Sequence, residues 1–136
     1  MGSNQYRDDP TVADEAELLR RVHPQQVVPD PRRSCRRVSS AAFRNHPGGS
    51  PMSVLLADVM RYEGRPPKEA LLGYRDHALV SISAGLARAC QQGVAREPLP
   101  QETAHAVVFG NKTQSVRDTF AQQAKWVVPS SPPPLD

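Results

Sequence analysis

Proline and glycine interrupt this chain so often that only short helices and strands fit between them. The 136 residues include 14 prolines and 8 glycines, and a residue that precedes proline is pushed out of the α region. His46–Pro51 is therefore predicted to be a loop, and Gly64, Gly73 and Gly93 are predicted to end helices. The length suits one domain with a hydrophobic core that needs no disulfide or metal.

The apolar pattern between these interruptions predicts a mixed α+β fold. We expect a single small domain over residues 13–128 in which a short sheet packs with three to five helices. Residues 1–12 are predicted to be a flexible leader, and residues 129–136 a disordered proline-rich tail. Helices are predicted over Ala13–Val22, Val54–Tyr62, Pro66–Leu72, Ala84–Gln92 and Val116–Lys125, with Ser53 and Ser115 as helix caps. Strands are predicted over His77–Ser83 and Thr103–Phe109, with shorter ones at Arg36–Phe43 and Trp126–Val128.

Positive charge is concentrated in the first third of the chain. The net charge is only +3, but seven arginines and a single acid, Asp30, lie between Arg20 and Arg44. Arginine side chains match the geometry of phosphate and carboxylate groups. We therefore expect an acidic partner, either nucleic acid or protein, to bind Arg32, Arg33, Arg36 and Arg37, with Arg44, Lys112 and Arg117 extending the surface. The plainer interpretation is a solvated basic loop around Pro31. Phe43 is the only aromatic residue near the arginines, which argues against a platform that stacks single-stranded bases.

A second candidate site is the turn that precedes the last predicted helix. Free N–H groups at a helix N-terminus attract anions, and Lys112, Thr113, Ser115 and Arg117 lie at this position. The segment is not a Walker A loop, because Asn111 stands where that motif requires glycine. The alternative is an ordinary turn with a capped helix.

The histidines and serines leave open a catalytic site assembled by the fold. His23, Ser39, Ser40 and His105 would form one only if the fold brings them together, which the sequence does not determine. The histidines and the two cysteines lack metal-ligand spacing, so no metal site and no cofactor is predicted.

Several short strings are similar to those of a group of small uncharacterised bacterial proteins. They are Arg21-Val22-His23-Pro24 with Val27, Ser39-Ser40-Ala41-Ala42-Phe43, Met52-Ser53-Val54 and Ala104-His105-Ala106-Val107-Val108. The resemblance would cover roughly Leu18–Val128, and it implies a bacterial origin and no known activity.

These features together favour a non-enzymatic bacterial binding module that engages an acidic partner through its arginines. The alternative is a small enzyme acting on a phosphate-bearing substrate or nucleotide, with the anion held at Lys112–Ser115 and with His23 or His105 moving protons. The sequence has no apolar signal segment and no run long enough to span a membrane, so we expect a cytoplasmic protein without membrane contact.

Overall fold

The computed structural model describes residues 6–30, 32 and 35–129. Residues 1–5 of the predicted leader, Arg33 of the arginine group and residues 130–136 of the predicted tail lie outside this range. The described residues confirm a small α+β domain, with eight strands and three α-helices. Across the described residues, no helix is both long and apolar enough to cross a membrane.

Six strands form one antiparallel sheet, and two more form a separate hairpin. In spatial order the sheet contains β6 (Gly93–Arg96), β7 (His105–Phe109), β4 (Met52–Leu56), β1 (Glu17–Val22), β5 (Ala78–Ser83) and β8 (Lys125–Val128). The hairpin pairs β2 (Val27–Asp30) with β3 (Cys35–Val38). The helices are α1 (Ala57–Tyr62), α2 (Ala84–Ala89) and α3 (Gln114–Gln123), and short 3-10 helices cover Pro24–Gln26, Ser40–Phe43 and Pro67–Leu71.

The larger core lies on one face of the sheet. Alternate residues of a strand point to the same face, so Leu18 and Val22 of β1 are buried beside Met52 and Val108 of neighbouring strands. The 3-10 helix Ser40–Phe43 and α3 pack over this face. Their contact is centred on Phe43 and Phe120, which are both fully buried with ring centroids 5.8 Å apart in an edge-to-face arrangement.

A smaller core lies on the opposite face and covers only part of it. Leu19, Leu55 and Leu79 are buried there under Met60 of α1 and Ala70 of the 3-10 helix Pro67–Leu71. Beyond this cover the same face continues with polar residues. The sheet therefore presents an open, polar strip next to an apolar one.

The helix predicted over Ala13–Val22 is wrong, because residues Glu17–Val22 form the central strand β1. Pairing with β4 on one side and β5 on the other satisfies its backbone groups. The sequence ELLRRV has acids before it and arginines near its end, which also matches a helix dipole. Tertiary pairing and two-sided burial override that local preference.

Other predicted boundaries shift for similar reasons. Ser53 is not a helix cap, since it lies inside β4 and α1 begins only at Ala57. The strand predicted over Arg36–Phe43 ends at Val38, and Ser39 caps the 3-10 helix that follows. Thr113, rather than Ser115, caps α3 by accepting a hydrogen bond from the Val116 N–H. The strands predicted at His77–Ser83, Thr103–Phe109 and Trp126–Val128 and the helix at Val116–Lys125 are confirmed to within about two residues at either end.

The described part of the leader differs from the expected flexible segment, because it lies along β6. The Asp9 N–H donates to the carbonyl of Val94 at 2.8 Å, and the Val94 N–H donates to the Asp8 carboxylate at 2.9 Å. Arg88 of α2 binds the carboxylates of Asp8 and Asp14 at 3.0 and 2.6 Å. These contacts attach residues 8–14 to the domain.

We expect Phe120→Ala to lower the free energy of unfolding by about 3–5 kcal/mol, because it removes a fully buried ring from the main core. Chemical denaturation monitored by circular dichroism measures the loss. Gln123→Ala, at an exposed position of the same helix, serves as the control and should change stability by less than about 1 kcal/mol. Equal stability of the two variants would contradict the packing of α3 on the sheet.

Candidate active site

The open strip of the sheet contains a serine between two histidines. Ser53 of β4 and His105 of β7 lie on the same face, because Ser53 is paired with Val107 and His105 with Leu55. This diagonal relation brings the His105 Nε2 to 3.2 Å from the Ser53 Oγ. The Nε2 of His46 lies 3.2 Å from the same oxygen. A serine hydroxyl in contact with two imidazoles is a candidate nucleophile.

The position of His46 depends on a tight loop between the Ser40–Phe43 helix and β4. The His46 N–H donates to the Ser50 carbonyl at 2.9 Å, and the Gly49 N–H donates to the His46 carbonyl at 3.1 Å. Gly48 and Gly49 have φ values of 99° and 93°, which residues with a side chain rarely adopt. The glycine pair thus lets the chain return so that the His46 ring reaches Ser53.

The far nitrogen of His105 is held by Glu97, which follows β6. The Glu97 N–H donates to the His105 carbonyl and continues the β6–β7 ladder. The His105 Nδ1 lies 2.9 Å from the Glu97 backbone carbonyl and 3.5 Å from its carboxylate. Tyr6 donates a 2.7 Å hydrogen bond to that carboxylate, which raises the pKa of the tyrosine hydroxyl. The imidazole is therefore oriented by an acceptor on the side away from the serine.

These contacts fix the direction of each hydrogen bond around Ser53. A carbonyl oxygen only accepts, so the proton of a neutral His105 ring lies on Nδ1 and its Nε2 accepts from the Ser53 hydroxyl. Since that hydroxyl has a single proton, its oxygen accepts from His46, which must donate through Nε2–H. His46 therefore donates to Ser53, Ser53 donates to His105, and His105 donates to the Glu97 carbonyl.

The serine faces a cavity of about 260 Å³ whose lining, among the described residues, combines apolar, aromatic, imidazole, amide and guanidinium side chains and contains no carboxylate. Its lining residues are Leu19, Arg20, Arg21, His23, Gln26, His46, Ser53, Val54, Leu55, Tyr74 and His105. Tyr74 is 41% exposed and lies at the open side. A cavity of this size and charge fits a small anionic molecule better than a neutral or cationic one.

Arg20, which the sequence places in the basic segment, has a structural role next to Ser53. Its Nε donates to the Ala42 carbonyl at 2.9 Å and its Nη1 to the Ser53 carbonyl at 2.8 Å. Burial, and then the charge of Arg21, lower the pKa of Arg20 to about 10. The guanidinium thus fixes the backbone of the candidate nucleophile.

The serines and histidines whose convergence the sequence left open are divided between the two faces of the sheet. His23 and His105 both line the cavity beside Ser53. Ser39 and Ser40 instead line a larger open groove next to α3, where the Ser40 Oγ accepts from Gln114 at 3.3 Å. Ser53 and His46 were not among the predicted catalytic residues. The sequence signal for Ser53 is a polar residue at the centre of an apolar strand. It can be recognised only once Met52–Leu56 is known to be a strand.

At the start of α3, where an anion site is predicted, the ammonium of Lys112 binds backbone carbonyls of the domain instead. The ammonium of Lys112 is buried and donates to the carbonyls of Val108 and Gly110 at 2.8 and 3.3 Å. Arg117 donates from Nε to the Lys112 carbonyl, Thr113 caps the helix, and Ser115 is exposed. Lys112 therefore points into the domain instead of toward the free N–H groups of α3.

The arginines of the hairpin and its surroundings remain at the surface. Arg32, Arg37 and Arg44 are exposed and Arg36 is half-buried. Within residues 6–30, 32 and 35–129, none of these four side chains forms an ion pair. Over the same ranges, no group of three histidine, cysteine, aspartate or glutamate side chains is arranged to hold a metal ion.

Comparisons with protein-family models, with curated proteins and with solved structures gave no significant match. The resemblance to small bacterial proteins therefore stays a prediction.

Burial, followed by the nearby charge of Arg20, lowers the pKa of Lys112 to about 8 from an ordinary value of 10.5. Between these values the unfolded chain binds more protons than the folded one, so stability rises with pH. We compare the free energy of unfolding of the parent with that of Lys112→Met, which lacks the titrating group. Between pH 8.5 and 9.5 the difference, parent minus variant, should increase by up to about 1.4 kcal/mol per pH unit. Denaturant titrations at each pH measure this, and parallel curves would contradict a buried, easily deprotonated lysine.

Proposed function

We propose that the protein is a small serine hydrolase in which Ser53 is the nucleophile and His105 the general base. The observation that carries the proposal is the ordered chain of hydrogen bonds in which the Ser53 hydroxyl donates to His105 Nε2 and His105 Nδ1–H donates to the Glu97 carbonyl. Nucleophile, base and orienting acceptor in this relation are the arrangement that activates serine in unrelated folds. In the enzymatic alternative drawn from the sequence, the key residues were expected in the turn at Lys112, whereas the candidate nucleophile Ser53 lies in β4.

The reaction follows from the direction of the hydrogen bonds. His105 Nε2 takes the proton of Ser53 as Oγ attacks the carbonyl carbon of an ester, and the carbon–oxygen bond to the leaving alcohol breaks as imidazolium returns the proton to that alcohol. Water then attacks the Ser53 ester with His105 again as base, and the acid is released as the serine proton is restored. The Glu97 carboxylate, 3.5 Å from Nδ1, stabilises the imidazolium in both steps.

His46 contributes a donor beside the reacting oxygen. In the resting site its Nε2–H donates to the Ser53 Oγ, and this bond orients the hydroxyl so that its single proton points toward His105 Nε2. Because His46 is exposed and lies in a loop, its contribution is separable from folding more readily than that of His105.

We expect an alkyl fluorophosphonate to label Ser53 of the parent protein, with fluoride as the leaving group. Ser53→Ala should abolish labelling, and His105→Ala should slow it by about 10²-fold or more, as loss of a general base does. Intact-mass and peptide mass spectrometry measure the rate and the modified residue. Ser50→Ala, at an exposed serine of the adjacent loop, is the matched control and should react like the parent. Modification at another residue, or an unchanged rate in His105→Ala, would refute the proposal.

A second function is favoured by the unpaired arginines of the hairpin. The β2–β3 hairpin forms a two-stranded sheet of its own, and Arg32 and Arg37 are exposed without a carboxylate partner among the described residues. Exposed arginines that are not neutralised within the protein are available to an acidic partner. Binding of nucleic acid or acidic protein at the hairpin is compatible with an active site at Ser53, because Ser53 belongs to the separate six-stranded sheet.

If the hairpin binds nucleic acid by neutralising phosphates, affinity for duplex DNA should fall with salt with a log–log slope of about −0.9 per phosphate contacted. Replacing Arg32, Arg33, Arg36 and Arg37 with alanine should flatten this slope by several units. Fluorescence anisotropy of labelled duplex and single strand at several salt concentrations measures it, with thermal unfolding as the check on folding. Absence of binding at low salt would leave an acidic protein as the partner, and an unchanged slope would place the contact elsewhere.

A further inference from the structure

The cavity at Ser53 also contains an arginine whose charge is not neutralised by the protein. Arg21 lies two residues beyond Leu19 on β1, and Ser53 lies two residues before its partner Leu55 on β4. Because the strands are antiparallel, Arg21 and Ser53 are neighbours on the same face of the sheet. Both residues line the cavity.

Two contacts hold the Arg21 side chain in place. Its guanidinium carbon lies 4.0 Å from the centre of the Tyr74 ring, in a cation–π arrangement. Its Nε donates to the carbonyl of Ala70, in the 3-10 helix that covers the smaller core. A guanidinium has five N–H donors, and only the one on Nε has a partner among the described residues. The four N–H groups of the fork remain available.

Two other half-buried arginines, Arg65 and Arg88, have carboxylate partners, whereas Arg21 has none among the described residues. Arg65 binds Glu102 through two hydrogen bonds of 3.2 and 2.8 Å and binds Glu63 at 2.6 Å. Arg88 binds Asp8 and Asp14. Arg21 also helps to lower the pKa of Glu102, but as the smallest of the causes, and the Glu102 carboxylate is engaged by Arg65. Within the described ranges no acid lies within 4.0 Å of the Arg21 nitrogens.

His23 provides a second donor at the same cavity. Its Nδ1 accepts a 3.0 Å hydrogen bond from the Gln25 N–H, so the proton of the neutral ring lies on Nε2. The ring packs edge-to-face with His77 at a centroid distance of 5.2 Å, and His77 in turn packs against Tyr74 at 5.5 Å. His23 and Arg21 are therefore connected through one aromatic cluster, and both present N–H donors.

We propose that Arg21 and His23 form a subsite for an anionic group, a carboxylate or a phosphate, on the substrate whose ester bond is cleaved at Ser53. A planar fork of N–H donors matches the paired oxygens of either group. No carboxylate of residues 6–30, 32 and 35–129 lines the cavity, which makes the subsite selective for anions. The assignment of this group to a substrate rests on the proposed function, whereas the binding of the anion does not require Ser53 to react.

Titration of Ser53→Ala protein with inorganic phosphate and with acetate, at ionic strength held constant with chloride, tests the subsite. The imidazole resonances of His23 in ¹H–¹⁵N spectra measure binding. We expect saturable shifts with at least one of the two anions, and the anion that binds more tightly identifies the group. Arg21→Gln should weaken binding about tenfold or more, the loss of a charge-assisted paired contact. Arg61→Gln, which removes an exposed arginine paired with Asp58, is the control and should leave affinity unchanged.

Equal affinity in Arg21→Gln and its control, or shifts that do not saturate with either anion, would overturn the subsite. If Arg21→Gln does not fold, His23→Ala replaces it, with an amide of the adjacent 3-10 helix as the reporter, because His23 is exposed; unchanged affinity in that variant would also overturn the subsite. Fluorophosphonate labelling of the parent separates the two proposals. Anion binding without labelling of Ser53 would retain the subsite and reject the hydrolase, and labelling without anion binding would do the reverse.

Discussion

The arrangement of both faces of the sheet depends on the guanidinium of Arg20. A charge withdrawn from water is costly unless it is hydrogen-bonded, and here the backbone carbonyls of Ala42 and Ser53 accept from Nε and Nη1 of the guanidinium. The same side chain therefore ties the Ser40–Phe43 helix to β4. This bond positions Phe43 in the larger core and Ser53 on the opposite face, so that packing and the candidate site depend on one residue of the central strand.

The site gains precision from its location on paired strands. Ser53 and His105 belong to neighbouring strands whose register is set along four residue pairs, and Glu97 continues the next ladder. Groups on strands are held more precisely than groups on loops. His46 comes from a loop that hydrogen bonds close, and Glu97 directly follows the end of β6. The order of donors and acceptors around the serine is thus a consequence of sheet register.

The sequence predicts those elements whose signals are local. The apolar run of β5, the strand before Gly110 and the amphipathic face of α3 are all identified, because each depends on neighbouring residues alone. β1 is missed because its charge pattern also suits a helix, and its identity depends on strands far away in the sequence. The pairing of Ser53 with His105 needs the register of β4 against β7, and the burial of Lys112 needs the position of Val108. Neither is encoded within a short window.

The contacts of Asp8 and Asp9 with β6 protect one edge of the sheet from pairing with another chain. An exposed edge strand is a template on which a second chain can add by backbone pairing, and natural sheets protect such edges. At one edge, Asp8 and Asp9 occupy the N–H and carbonyl of Val94. The other edge, β8, is only four residues long, with the charged Lys125 at its start and Pro129 directly after its end. Both edges are therefore poor templates for aggregation.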